Sequence, residues 1–112
     1  MDRRIEIVIS EIERDPQGCQ LSELAESVNL SSSRLRHLFK QETGITPLQH
    51  LKRVRFEHAA LLLRTTFFSI KEVMRLAGFN DISHFGREFK KLLGKSPGDY
   101  REAYSRETVS RK

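Results

Sequence analysis

One cysteine, Cys19, stands among 112 residues. It cannot close an internal disulfide, which suits a reducing cytoplasm. Without a second thiol, a cysteine-based zinc site is not expected. The four histidines, His37, His50, His58 and His84, fall at no metal-ligand spacing with a second cysteine or an aspartate. No convergent set of catalytic groups is visible, so neither an enzyme nor a bound metal or cofactor is expected. Long apolar runs are missing too. None approaches the ~20 residues that cross a bilayer, and Met1 is followed at once by the charged Asp2-Arg3-Arg4, so no secretory leader is expected at this end. The expected location is the cytoplasm, away from membranes.

What is present suits a small folded domain. The hydrophobic content is 38%, enough for one domain or for two small subdomains sharing a core. The net charge is +5 and the sequence pI about 9.7, in the range of nucleic-acid-binding domains. Its distribution is uneven. Residues 1–20 carry three basic and five acidic groups, residues 21–50 three of each, residues 51–64 four against one, and residues 65–112 ten against six. The first helix is therefore not expected to lie on a polyanion.

Glycine and proline are absent from Leu48 to Arg64, and this stretch organises the rest. Pro47 suits the first turn of a helix, whose N–H groups have no intrahelical partner, and Thr46 is an expected N-cap. At 100° per residue, Gln49, His50, Arg53, Glu57 and Arg64 fall on one polar stripe. Leu48, Leu51, Val54, Phe56, Ala59, Ala60, Leu61, Leu62 and Leu63 cover most of the remainder. A helix at the edge of one core needs a single apolar stripe. This one has enough apolar surface to be gripped from two sides, or to sit at the centre of one bundle.

A repeat flanks it. Leu24 matches Val73 and Leu30 matches Phe79 at an offset of 49; Leu35 matches Phe85, Phe39 matches Phe89, Gly44 matches Gly94 and Pro47 matches Pro97 at 50. Self-similarity of this kind marks two like modules, the second with one extra residue in its turn. In chain order the pattern gives a helix over Asp2–Arg14 with Ile5, Val8, Ile9 and Ile12 on one face. A short helix follows, capped by Ser22 and running through Val28, then a break at Asn29 with Leu30 plugging the turn. Ser31 caps a helix to about Glu42 with Leu35, Leu38 and Phe39 buried, and Gly44 stops it. After the long helix come a loop over Thr65–Phe68 and a capping box, Ser69-x-x-Glu72, opening a helix to about Ala77. Gly78 and Phe79 form the turn, Asp81 caps a helix to about Leu93, and Ser96-Pro97 starts a last helix through about Tyr104. Ser105 to Lys112 reads as a polar, fraying tail. The expected fold is all-α, with seven helices in two helix-turn-helix subdomains (1–46 and 65–112) joined by a linker helix (47–64).

A short helix, a tight turn and a longer helix make the helix-turn-helix unit, whose second helix can enter the major groove if its outer face is polar and cationic. In the first copy that face holds Ser32, Ser33, Arg36, His37 and Lys40. In the second it holds Ile82, Ser83, Gly86, Arg87, Lys90 and Lys91, with His84 near the edge; Arg34 and Asp81, beside these faces, are expected at the DNA as well. Arginine forks onto guanine O6 and N7, and lysine suits phosphates. Ile82 either packs on a thymine methyl or sits half-buried at the helix edge. Gly86 costs about 1 kcal/mol against alanine in mid-helix; close approach to a partner and neutral drift both account for it.

The second module resembles the signature of the AraC/XylS family of bacterial transcription regulators, through Ile70, Val73, Gly78, Phe79, Asp81, Ser83, Phe85, Arg87, Phe89, Lys90, Gly94, Ser96, Pro97, Tyr100 and Arg101. Arg55, Ala59, Leu62 and Leu63 of the linker helix match as well, and the likeness spans about residues 5–104. It implies a homeodomain-like tandem DNA-binding domain whose second helices read adjacent major grooves on one face of promoter DNA. Its base-contacting positions fall on Ser33, Arg36 and His37, and on Ile82, Ser83, His84 and Arg87. Met74 stands where the family usually has alanine, and Ala77 where it often has a larger residue, a volume exchange inside the module core. The family also implies activation through RNA polymerase, and an effector-binding or dimerisation domain that nothing in these residues resembles, so a fragment of a longer regulator is favoured over a stand-alone one. The alternative is a helix-turn-helix module that binds proteins instead of DNA.

Overall fold

The computed structural model describes the backbone of residues 1–110 and the side chains of residues 1–104. Among the described residues there are seven helices and no strand: α1 (Arg3–Arg14), α2 (Leu21–Ser27), α3 (Ser32–Thr43), α4 (Pro47–Thr65), α5 (Ile70–Leu76), α6 (Ile82–Leu93) and α7 (Pro97–Ser110). They form two compact units, Met1–Val54 and Arg55–Lys112. The division falls inside α4, between Val54 and Arg55. Thr65, expected in the loop, is the last residue of α4.

In the first unit, Ile5, Val8 and Ile12 of α1 meet Leu24 and Ala25 of α2, Leu35 and Phe39 of α3, and Leu51 of α4, with Leu30 packed against them. Ile9 and Leu38 are only half-buried. Asp2 caps α1 by accepting the Arg4 N–H at 2.8 Å, and its own N–H donates to Glu42 Oε1 at 2.6 Å, tying the start of α1 to the end of α3. Ser22 does not cap α2. Gln20 is the N-cap residue, in extended conformation and with no side-chain hydrogen bond. The spacing Leu21, Leu24, Ala25, Val28 explains the shift: it makes one apolar stripe only if Leu21 is already helical.

In the second unit Phe56, Ala59, Ala60 and Leu63 of α4 pack with Val73, Met74, Ala77, Phe85, Phe89 and Tyr100. Its centre is aromatic. Phe56 stacks on Phe79 with ring centroids 4.4 Å apart and on Phe85 at 5.7 Å, and Phe89 meets Tyr100 edge-on at 5.4 Å. Such pairs add to simple burial. Met74 and Ala77 are both buried in this cluster. Helix α7 is fastened to α4 by Arg101, which donates to the Leu63 carbonyl at 3.2 Å, and by Arg64, which donates to the Tyr100 hydroxyl at 2.7 Å. It runs on to Ser110 instead of ending near Tyr104, since no glycine or proline follows Gly98. Arg111 and Lys112, the end of the expected fraying tail, lie outside the described residues.

Two expectations for α4 change. Leu48 and Leu61 face solvent, so its buried surface is narrower than its composition suggests. His50, placed on the polar stripe, is half-buried with its ring centroid 5.8 Å from that of Phe39. Its Nε2 lies 4.0 Å from Glu13 Oε1, too far for a hydrogen bond.

Candidate nucleic-acid interface

The same turn joins the two helices of each module. In the first, Asn29 takes φ 59°, the Asn29 N–H donates to the Glu26 carbonyl at 3.0 Å and the Leu30 N–H to the Ala25 carbonyl at 2.9 Å. In the second, Gly78 takes φ 93°, with matching bonds from Gly78 to Arg75 and from Phe79 to Met74, each 3.0 Å. Both are Schellman closures, in which a left-handed residue lets the chain turn while satisfying the last carbonyls. Leu30 and Phe79 follow the left-handed residue and pack on their respective cores. This rigid corner sets where the next helix begins.

Helix α3 is capped by Ser31, whose hydroxyl accepts the Arg34 N–H at 3.1 Å, and closed by Gly44 in left-handed conformation. Leu35 and Phe39 are fully buried. Their burial leaves Ser33, Arg34, Arg36, His37 and Lys40 exposed, with Ser32 half-buried. Ser33, Arg36, His37 and Lys40 come together with Gln41 and Thr46 along one open groove that no carboxylate lines. Arg34 and Ser32 are not part of it. Gln41 and Thr46 were missed from the sequence. Gln41 could have been found, because an offset of 50 makes it the counterpart of Lys91. Thr46 also caps α4, its hydroxyl accepting the Gln49 N–H at 3.1 Å.

Helix α6 is capped by Asp81, whose carboxylate accepts the His84 N–H at 3.0 Å. That hydrogen bond, with Arg87 and His84 contributing charge, holds the carboxyl below its ordinary pKa. Asp81 is therefore exposed but committed to capping. Phe85 and Phe89 are fully buried. Ile82, Ser83, His84, Arg87, Lys90 and Lys91 are exposed and Gly86 is half-buried. His84 Nε2 lies 3.8 Å from Glu88 Oε1 one turn on, an ion pair only when the imidazole is protonated. At the offset of 50, Ser32 matches Ile82, Ser33 matches Ser83, Arg36 matches Gly86, His37 matches Arg87 and Lys40 matches Lys90. Among the described residues no group of three or more His, Cys, Asp or Glu side chains could hold a metal ion.

Two helix-turn-helix units, each with its second helix capped, anchored by two buried apolar side chains and polar on its outer face, define a tandem DNA-binding domain. A family model described as a helix-turn-helix domain matches residues 24–103. The arabinose operon regulatory protein of Escherichia coli strain K12 is 44% identical over 81 residues, 72% of this chain and 28% of that protein. The transcriptional activator NphR of a Rhodococcus species is 40% identical over 86 residues, 77% of this chain and 25% of that protein. Among solved structures, the DNA-binding domain of AdpA in complex with a target DNA superposes with a TM-score of 0.81 at 29% identity, covering 92% of this chain and 94% of that one. The chain belongs to the AraC/XylS family of transcription regulators. It spans less than a third of the length of these two curated relatives.

Proposed function

We propose that this chain binds promoter DNA sequence-specifically and regulates transcription as an activator, with α3 and α6 each reading one major groove. The observation that carries this is the equivalence of the two helices. Each is held by a cap and two buried side chains, and each turns serine together with arginine, histidine and lysine to solvent. Arg36 and Arg87 are the base readers, forking onto guanine, while Lys40 and Lys90 hold phosphates and set register. Ser33, His37, Ser83 and His84 read neighbouring bases. Activation rests on the relatives, one of which is an activator by name, and it requires contact with RNA polymerase, in the cytoplasm. Among the described residues no helix is long and apolar enough to cross a membrane.

Helix α4 has 19 residues, about 28 Å at 1.5 Å each. A spacer of that length suits two unlike half-elements about 10 base pairs apart, arranged as a direct repeat. Mobility shifts on promoter DNA over a range of salt test the whole proposal. Sequence-dependent, salt-sensitive retardation supports it; no retardation at low salt would favour a protein-binding module instead.

A further inference from the structure

Ile82 and Gly86 lie one turn apart on α6 and share a strip of its surface. Ile82 opens the helix, keeps 48% of its surface exposed and belongs to no core cluster. At Gly86 an added Cβ would meet nothing within 4 Å beyond its chain neighbours and the backbone of its own helix, and the backbone there is not left-handed. Neither packing nor conformation within this chain calls for glycine, although glycine weakens a helix interior relative to alanine. The branched side chain of Ile82 thus stands beside bare helix surface, with Ser83 and Lys90 flanking Gly86 at i−3 and i+4. In α3 the counterparts are Ser32 and Arg36, a hydroxyl and a long guanidinium.

The geometry points to a niche formed by Ile82 and Gly86 that takes the C5-methyl group of a thymine. It rests on the placement of α6 in the major groove proposed above. Thymine alone among the four bases presents a methyl group on that edge, while guanine presents the O6 and N7 acceptors that suit Arg36. The wall supplied by Ile82 is apolar, and the missing side chain at 86 leaves room for the methyl and for the base edge to approach the backbone. The two half-elements therefore differ in kind at matching positions. One asks for guanine opposite Arg36, the other for thymine opposite Ile82 and Gly86.

The test selects binding sites for the 112-residue chain from duplexes randomised across two helical turns, then replaces each thymine of the selected site by deoxyuridine, which lacks only the methyl. At one position in one half-element the wild type should lose about fourfold in affinity, the weight of one methyl group returned to water. Ile82→Ala should abolish that difference by removing the wall. Gly86→Ala should abolish it by filling the space, while its melting temperature stays at or above the wild-type value. The double variant Ile82→Ser, Gly86→Arg should shift the preference at that position from thymine to guanine. A consensus in which no thymine is distinguished from deoxyuridine, or in which both single variants keep the full difference, overturns the niche alone. A library that yields no consensus overturns the placement of α6 in DNA, and the niche with it.

Discussion

Asn29 and Gly78 occupy the same left-handed position in the two copies of one turn, at φ 59° and 93°. Asparagine tolerates that region better than other side chains, and glycine enters it freely. The corner is therefore a requirement of the backbone, met by two different residues. Gly78→Ala should destabilise the domain by about 1–2 kcal/mol, the strain of a Cβ in left-handed conformation. Asn29→Gly should change stability by no more than a few tenths of a kcal/mol, because the conformation is already accepted. Urea unfolding of both variants checks this; equal losses would mean that the turn is not held as described.

Phe85 and Phe89 are fully buried among Phe56, Phe79 and Tyr100. Truncating either to alanine should cost about 3–5 kcal/mol, a large share of the roughly 5–15 kcal/mol that holds a domain folded. A melting curve that barely moves would show that the inward face of α6 is misassigned.

Acid should loosen the helix starts. The Arg4 side chain and N–H bonded to Asp2 lower its carboxyl to about 2, and the Ser69 N–H and hydroxyl lower Glu72. A carboxylate whose folded pKa is depressed stabilises the fold above its unfolded value and loses that contribution as pH falls through the folded one. For Asp2 the window runs from about 4 down to about 2. Asp2→Asn keeps a capping side chain but cannot titrate. The stability difference between wild type and this variant should be constant above that window and shrink within it. A difference that does not change with pH there would sink the assignment.

Much of the fold was legible because its signals are local. Ser69 and Glu72 form the expected capping box, with both hydrogen bonds in place, and Ser31, Asp81, Gly44 and Gly94 bound their helices as composition predicts. Ser22 misled because a cap preference is weaker than the need to keep Leu21 on the apolar stripe. His50 misled for a different reason. Its burial comes from Phe39 and Glu13, on other helices, and helical periodicity carries no information about what arrives from elsewhere. Exposure of the outer faces of α3 and α6 could be read from the positions of Leu35, Phe39, Phe85 and Phe89. Which exposed groups gather into one groove could not, since that depends on Thr46 reaching α3 from the start of α4.

Lys90→Ala should weaken binding to cognate and random DNA alike and lower the slope of log affinity against log salt by roughly one phosphate contact. A loss confined to cognate DNA would make Lys90 a base reader instead.

Spacing offers a separate check. Inserting about five base pairs between the half-elements, half a turn of duplex, should reduce affinity to that of a single module. About ten should fail as well, because a helix of fixed rise does not stretch. Unchanged affinity across the series would mean that one module does all the binding.

The most direct measurement compares Arg36→Ala and Arg87→Ala with wild type on cognate and random duplexes at one salt concentration. Each variant should keep its fold and its random-DNA affinity while losing about 1–3 kcal/mol on cognate DNA. Equal losses on both duplexes, or none on either, would contradict the assignment of α3 and α6 as the sequence-reading helices.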